Sequence, residues 1–262
     1  MGKSLVHLVV FVALFFGLWY VLKGVSWMKT FRIQEFTEEK QEQVAELLLK
    51  LHRANKGEVD KPEVVDHINR IKEVLCRENG LDAQKIQMHV FEDDVVNAFA
   101  LPGGHIVVNT ALIKSCDSAD MLAGVIAHEL AHVQLAHVSR KLSREIGMST
   151  ILMMSGGGEH LGTLKEVLST LSSRSFDRDM EREADKQAIK YMQKAGGDPR
   201  QLAWFLEELS KEQEGMPEAL QWLSTHPGGK ERVDYILKDT PKTTSTKGIL
   251  AQEEWLALKS AV

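Results

Sequence analysis

The sequence has 262 residues, 44% of them hydrophobic and 26% charged, with a formal net charge of −5. That length accommodates one large domain or two small ones of ordinary globular composition, and no block of like charge is long enough for a nucleic-acid-binding arm. The two cysteines, Cys76 and Cys116, exclude a zinc knuckle and a disulfide framework; they form either one bond in an oxidising compartment or two buried thiols.

The chain opens with an apolar run, Leu5 to Leu22, broken only by His7 and Gly17. As a helix its eighteen residues reach about 27 Å, close to the roughly 30 Å of a bilayer's hydrocarbon core. Trp19, Tyr20 and Trp27 suit a membrane interface. The run continues into Lys23-Gly24 without a small-x-small cleavage site, which favours an uncleaved anchor over a signal peptide. Only Lys3 precedes the run whereas Lys23, Lys29 and Arg32 follow it, a balance weakly against export of the C-terminal part. Residues 1–28 are expected to be a membrane anchor (or signal peptide), and residues 29–59 a linker, from about Gly24 to Phe36, with an amphipathic helix.

Thr37-Glu38-Glu39 predicts a helix start, with Thr37 as N-cap and Lys40 to Ala54 as the body. Pro62 suits the first turn of a second helix running to about Glu78, which Asn79-Gly80 stops. His52 and His67 lie on these helices without ligand spacing. A β section follows: Ile86 to Phe91, Asn97 to Leu101 and His105 to Asn109, the last two joined by the Pro102-Gly103-Gly104 turn. His89 and His105 are isolated in these strands and read as structural. A short helix over Thr110 to Lys114 leads to Asp117 or Ser118, the cap of a longer one.

That longer helix carries Ile126-Ala127-His128-Glu129-Leu130-Ala131-His132-Val133. Positions i and i+4 share a helix face, so His128 and His132 can reach one cation. Zinc takes histidine nitrogen at about 2.0–2.1 Å, and catalytic sites use three protein ligands plus water. Glu129 projects about 100° from His128, placing it over a metal-activated water, whose proton it can take and pass to a leaving amine. This is the H-E-x-x-H pattern. Histidines on an apolar helix are often only hydrogen-bonded core residues, but Val125, Ile126, Leu130, Ala131 and Val133 make this helix apolar nearly all round. Two buried imidazoles and a buried acid need partners or a metal. The helix is expected to continue through His137 towards Met154. His137 follows His128 by nine residues, about 180° round a continuous helix, and no glycine breaks Val133-Gln134-Leu135-Ala136, so His137 is not expected to ligate. Gly156-Gly157-Gly158 reads as a loop, either a mobile lid or a mere connection, before a helix from about Leu161 to Leu171.

Arg178-Asp179-Met180-Glu181-Arg182-Glu183-Ala184-Asp185 is the next acidic helical stretch. Glu181 and Asp185 share a face: Glu181 can complete a His, His, Glu site, and Asp185 can hold the free ring nitrogen of a ligating histidine. Glu183 lies about 200° round from Glu181 and is expected to face away. A solvated charged helix is the alternative, weakened by Ala184, Ala188 and Ile189 on the same helix.

The ordered set of His128-Glu129-Leu130-Ala131-His132, Glu181-Arg182-Glu183-Ala184-Asp185 and Ala195-Gly196-Gly197-Asp198-Pro199 resembles the HtpX, CAAX prenyl protease and Oma-type family of gluzincin metallopeptidases. Asn97-Ala98-Phe99-Ala100 before the glycine turn, and Thr225-His226-Pro227 followed by Glu231-Arg232-Val233, match it too. The resemblance covers about residues 60–240 and is nearest to the single-anchor, periplasmic BepA-like branch, without that branch's C-terminal helical repeats. It implies an α+β, mainly α-helical gluzincin-type domain with a small β-sheet beside the active-site helix; outside the match, one N-terminal transmembrane helix and a C-terminal tail helix over residues 241–262 are expected. It implies one Zn2+ held by His128, His132 and Glu181, with Glu129 as base and Asp185 in support. His226, a histidine before proline, is either a turn residue or, as the family context implies, a group that approaches the zinc as a temporary fourth ligand that excludes water or as an oxyanion donor. Arg232 is either a second oxyanion donor or part of a surface salt bridge. Asn97, Ala98, Phe99 and Ala100 are expected to bind extended peptide by main-chain hydrogen bonds if they form a sheet edge.

The function expected is a membrane-anchored zinc endopeptidase acting on unfolded or extended chains of misfolded or envelope proteins, with no nucleic-acid partner. Its catalytic domain is expected to be extracytoplasmic, with an organellar membrane as the alternative. The competing readings are a zinc-bearing chaperone or assembly factor held shut by His226, and a processing peptidase with one dedicated substrate.

Overall fold

The computed structural model describes residues 37–145, 176–212, 221–240 and 246–262. The apolar run at residues 5–22, the linker, the Gly156-Gly157-Gly158 loop and the helix expected near residues 161–171 lie outside the described residues. Among the described residues no helix is long and apolar enough to cross a membrane.

Helix α1 (Glu38–Arg53) buries Val44, Ala45, Leu48 and Leu49, a stripe at helical spacing. Helix α2 (Pro62–Asn79) starts with proline where a missing N–H costs nothing. It ends at Gly80, whose φ of 67° is left-handed; the N–H groups of Gly80 and Leu81 reach back to the Arg77 and Cys76 carbonyls, closing a Schellman cap. Three short strands follow: β1 (Gln87–Phe91), β2 (Ala98–Ala100) and β3 (His105–Asn109), in spatial order β1-β3-β2. β1 runs parallel to β3 and β2 antiparallel to it, so β2 is an edge of this sheet. A backbone of 3-10 geometry and the left-handed Gly103 and Gly104 turn β2 into β3. A Cβ on Gly104 would stand 2.0 Å from the Lys85 carbonyl oxygen, so only glycine fits there.

After α3 (Thr110–Ser115), Ser118 caps α4 (Ala119–Gln134) by accepting a hydrogen bond from the Met121 N–H. Every residue of α4 from Met121 to His132 is buried, as its all-round apolar sequence requires. It packs against α2, the sheet, α6 (Arg178–Ala195) and α7 (Arg200–Glu212). Gly124 lets α7 approach: a Cβ there would lie 3.3 Å from the Leu202 backbone nitrogen. At its N-terminal end Asp120 accepts the N–H groups of Asp198 and Ile249, each at 2.8 Å, tying two distant loops to α4.

One expectation fails at the other end of α4. The helix does not run on towards Met154; it stops at Gln134, Leu135 caps it, and Ala136 takes a φ of 53° before α5 (His137–Glu145) sets off anew. No glycine marks the break because an alanine adopts the left-handed conformation. The remaining elements are α8 (Gln221–Thr225), α9 (Gly229–Asp239) and α10 (Gln252–Ala261), whose Trp255 and Leu258 join the same core. Cys76 and Cys116 are free, buried thiols.

Candidate metal centre

Four elements converge on one buried point. α4 supplies His128, Glu129 and His132; α6 supplies Glu181 and Asp185; the turn after α8 supplies His226; α9 supplies Arg232. None of these seven is more than 2% exposed. His132 Nε2 lies 3.0 Å from His128 Nε2, His226 Nδ1 lies 3.2 Å from His128 Nε2, and Glu181 Oε1 lies 3.4 Å from His132 Nε2 and 3.0 Å from His226 Nδ1. Among the described residues these four side chains each offer a donor atom within 4.8 Å of all the others. Tetrahedral donors at about 2.1 Å from zinc stand roughly 3.4 Å apart, the spacing seen here. Three imidazole nitrogens cannot satisfy one another by hydrogen bonds; a shared cation satisfies all of them.

The local charge points the same way. Glu129, Glu181 and Asp185 are buried acids, and the buried guanidinium of Arg232 meets the last two. Burial alone would disfavour a charged His128, yet its hydrogen bonds to Asp185 and Glu181 raise it to about 9. The carboxylates thus demand a positive charge at this point. Burial opposes ionisation of Glu181 and Asp185 as well, but His226 and Arg232 outweigh it at Glu181, and Arg232 with His128 outweighs it at Asp185, so both are held below the usual carboxylate range. For Glu129 burial wins and its carboxyl is raised, the direction that suits a proton acceptor working near neutrality.

Glu129 stands beside the four donors without joining them. Its Oε1 is 3.3 Å from His226 Nε2, and its Oε2 accepts the Ala100 N–H at 3.1 Å. That second contact follows from strand register. Leu101 donates to the His105 carbonyl and Asn109 donates to the Asn97 carbonyl, so residues 97, 99 and 101 face β3 and residues 98 and 100 face outward. Asn97 adjoins β2, and Ala98, Phe99 and Ala100 form it; all four are buried.

Asp185 Oδ1 lies 2.9 Å from His128 Nδ1, the ring nitrogen that faces away from the donor cluster. Arg232 grips both oxygens of Asp185, at 2.8 Å and 2.7 Å, while its Nη1 reaches Glu181 Oε2 at 2.7 Å and donates to the His226 carbonyl at 3.0 Å. The guanidinium is therefore buried rather than a surface salt bridge, and its contacts are to the two acids and the His226 carbonyl. His226 is stacked on Trp222, with ring centroids 4.5 Å apart, and lies 5.5 Å from the Phe176 ring.

Several neighbours escaped the sequence reading. Tyr235 donates to Asp185; its position three residues after Arg232, on one helix face, was the available signal. Trp222 and Phe176 carried none. His137 was excluded on a continuous helix that does not exist. The break at Ala136 returns it to the site, where its Nδ1 lies 3.0 Å from His132 Nδ1, although it is not among the four clustered donors. Glu183 does face away from Glu181, with its side chain 58% exposed, yet it reaches His137 Nε2 at 3.2 Å.

A family model described as peptidase family M48 matches residues 62–240. The mitochondrial metalloendopeptidase OMA1 of Schizosaccharomyces pombe is 31% identical over 178 residues, 67% of this chain and 53% of its own length. The beta-barrel assembly-enhancing protease of Escherichia coli K12 is 29% identical over 189 residues, 67% of this chain and 38% of its own length. The human mitochondrial metalloendopeptidase OMA1 is 30% identical over 193 residues, 66% of this chain and 37% of its own length. The chain thus spans about half or less of the curated relatives it matches.

Proposed function

Because the chain belongs to peptidase family M48, whose metallopeptidases use zinc, we propose that it is a zinc endopeptidase in which His128, His132 and Glu181 hold the metal and Glu129 is the general base. The observation that carries this reading is the buried cluster of three imidazoles and a carboxylate with Glu129 at its edge. When bound, zinc supplies a Lewis acid that acidifies water and polarises the scissile carbonyl. The chain does the rest. Asp185 holds the His128 tautomer, and Arg232 holds Asp185 and Glu181 in place. Glu129 receives the proton of the attacking water at its carboxylate and delivers it to the leaving amine.

His226 decides whether water has room. A fourth protein donor closes the position that a catalytic site keeps open, so the geometry with His226 Nδ1 among the donors supports a resting state. Withdrawal of His226 from its stack on Trp222 opens it. The same feature favours a second reading, a zinc-bearing assembly factor that stays shut.

Extended polypeptide is the proposed substrate. The outward edge of β2 runs to Glu129 through the Ala100 N–H, so a substrate strand paired there is led to the base. Misfolded or envelope proteins are the proposed source, and a single dedicated substrate is the alternative. The run at residues 5–22 is proposed as the membrane anchor; release of the full-length chain by carbonate extraction would refute it. The function itself is tested by cleavage of unfolded casein by the purified full-length chain, which chelation should abolish and zinc restore. Cleavage that persists in chelator refutes the metal reading.

A further inference from the structure

We infer that His137 and Glu183 are positioning residues that lock the tautomer and orientation of His132, a counterpart of what Asp185 does for His128. The inference rests on His132 being a zinc ligand as proposed above. It is carried by a chain of three contacts that leads outward from the metal centre. His132 Nε2 points into the donor cluster. A neutral imidazole ligating through Nε2 carries its proton on Nδ1. The partner 3.0 Å from that nitrogen is His137 Nδ1, which must accept and therefore carries its own proton on Nε2. That nitrogen lies 3.2 Å from Glu183 Oε2, a carboxylate able to accept it. Every proton in the series has one donor and one acceptor, and the direction is set by the metal end.

The local backbone exists in a form that makes this contact. Ala136 at a φ of 53° ends α4 and restarts the chain so that a residue only five positions after His132 faces its outer edge. His137 is fully buried and packed edge-on against His132, with centroids 4.9 Å apart. Arg140 Nη2, 3.6 Å from the same Glu183 oxygen, steadies the carboxylate. Phe176 covers the face of the His132 ring, with centroids 4.1 Å apart, and offers no acceptor, so the in-plane contact to the ring's outer nitrogen comes from His137.

The test is zinc affinity of the purified full-length chain, by competition with a chromophoric chelator, together with the visible absorption of the cobalt-substituted protein. His137→Ala should weaken zinc binding about 10–100-fold and alter the cobalt spectrum. His137→Asn, whose side-chain oxygen occupies the place of Nδ1 and accepts the same hydrogen bond, should restore most of the affinity, a rescue that mere packing would not give. Glu183→Gln should retain more affinity than Glu183→Ala. Unchanged zinc affinity and spectrum in folded His137→Ala, or equal losses in the alanine and asparagine variants, would overturn the inference. Should His137→Ala fail to fold, Glu183→Ala decides, because that side chain is more than half exposed: lowered affinity supports the inference and unchanged affinity overturns it. An unmutated chain that binds no zinc would sink the metal reading itself, an outcome distinct from either.

Discussion

At the residue scale the centre is held together by groups that each have two jobs. Glu181 faces both the donor cluster and Arg232; Asp185 faces both His128 and Arg232. A buried carboxylate is tolerated only when its charge is met, and here Arg232 meets both acids, with His128 beside Asp185 and His226 beside Glu181. His226 differs, because it comes from a turn rather than from the helices that carry the other donors and its ring is stacked on Trp222 between Glu181 and Glu129. His226→Ala should therefore leave zinc bound by the remaining three donors while opening the fourth position to water. Casein cleavage should rise several-fold or more; a fall to nothing, with zinc retained, would instead make His226 part of the chemistry. The pairs His128/His132 and Glu181/Asp185 were legible in the sequence because i, i+4 spacing fixes a shared face without knowledge of the tertiary fold; Glu129 came from the H-E-x-x-H pattern, and the meeting of the two helices was implied only by the family resemblance. His137 was not, because its place depends on a helix break made by an alanine in a conformation that sequence assigns to glycine or asparagine.

At the element scale the site is an edge strand laid beside a buried helix. β2 is only three residues long, yet its outward groups end at Glu129. Its approximate position is legible from the Pro102-Gly103-Gly104 turn, but the pairing order β1-β3-β2, which makes it an edge, depends on long-range contacts that periodicity does not encode. Proline is compatible with an edge strand whose N–H points away from the ladder, so Ala98→Pro removes one outward donor and leaves pairing to β3. If substrate docks on this edge, KM should rise several-fold with a smaller change in kcat. Michaelis–Menten analysis on a peptide substrate checks it, and an unchanged KM would remove β2 from the substrate site.

At the scale of the whole molecule, the structure is sensitive to acid through histidines remote from the metal centre. His52 lies between the rings of Phe91 and Phe99, and His89 is enclosed beside His105 and Glu58. Burial lowers both from the usual 6.5, against the pull of Asp93 on His52 and of Glu58 on His89. The unfolded chain then binds protons first as pH falls, so the stability these two contribute is present above about pH 6.5 and is lost progressively below it. Thermal melting of the metal-free chain between pH 8 and pH 5 should show the midpoint falling below that value, and His89→Gln should flatten the fall; a midpoint independent of pH would contradict this. The fold class, mainly helical with a small sheet, could be anticipated because each element carries its own pattern and caps. The folding of α8, α9 and the Trp222–His226 turn over the zinc-binding face could not, since no local signal says which distant segments meet.

The central claim is that Glu129 is the base of a zinc centre made by His128, His132 and Glu181. Casein cleavage by Glu129→Gln in the His226→Ala background, at matched zinc content, tests it most directly. The prediction is one zinc per chain, as in the Glu129 parent, and cleavage slower by about 100-fold or more. Cleavage by Glu129→Gln at the parent rate with zinc in place would contradict it.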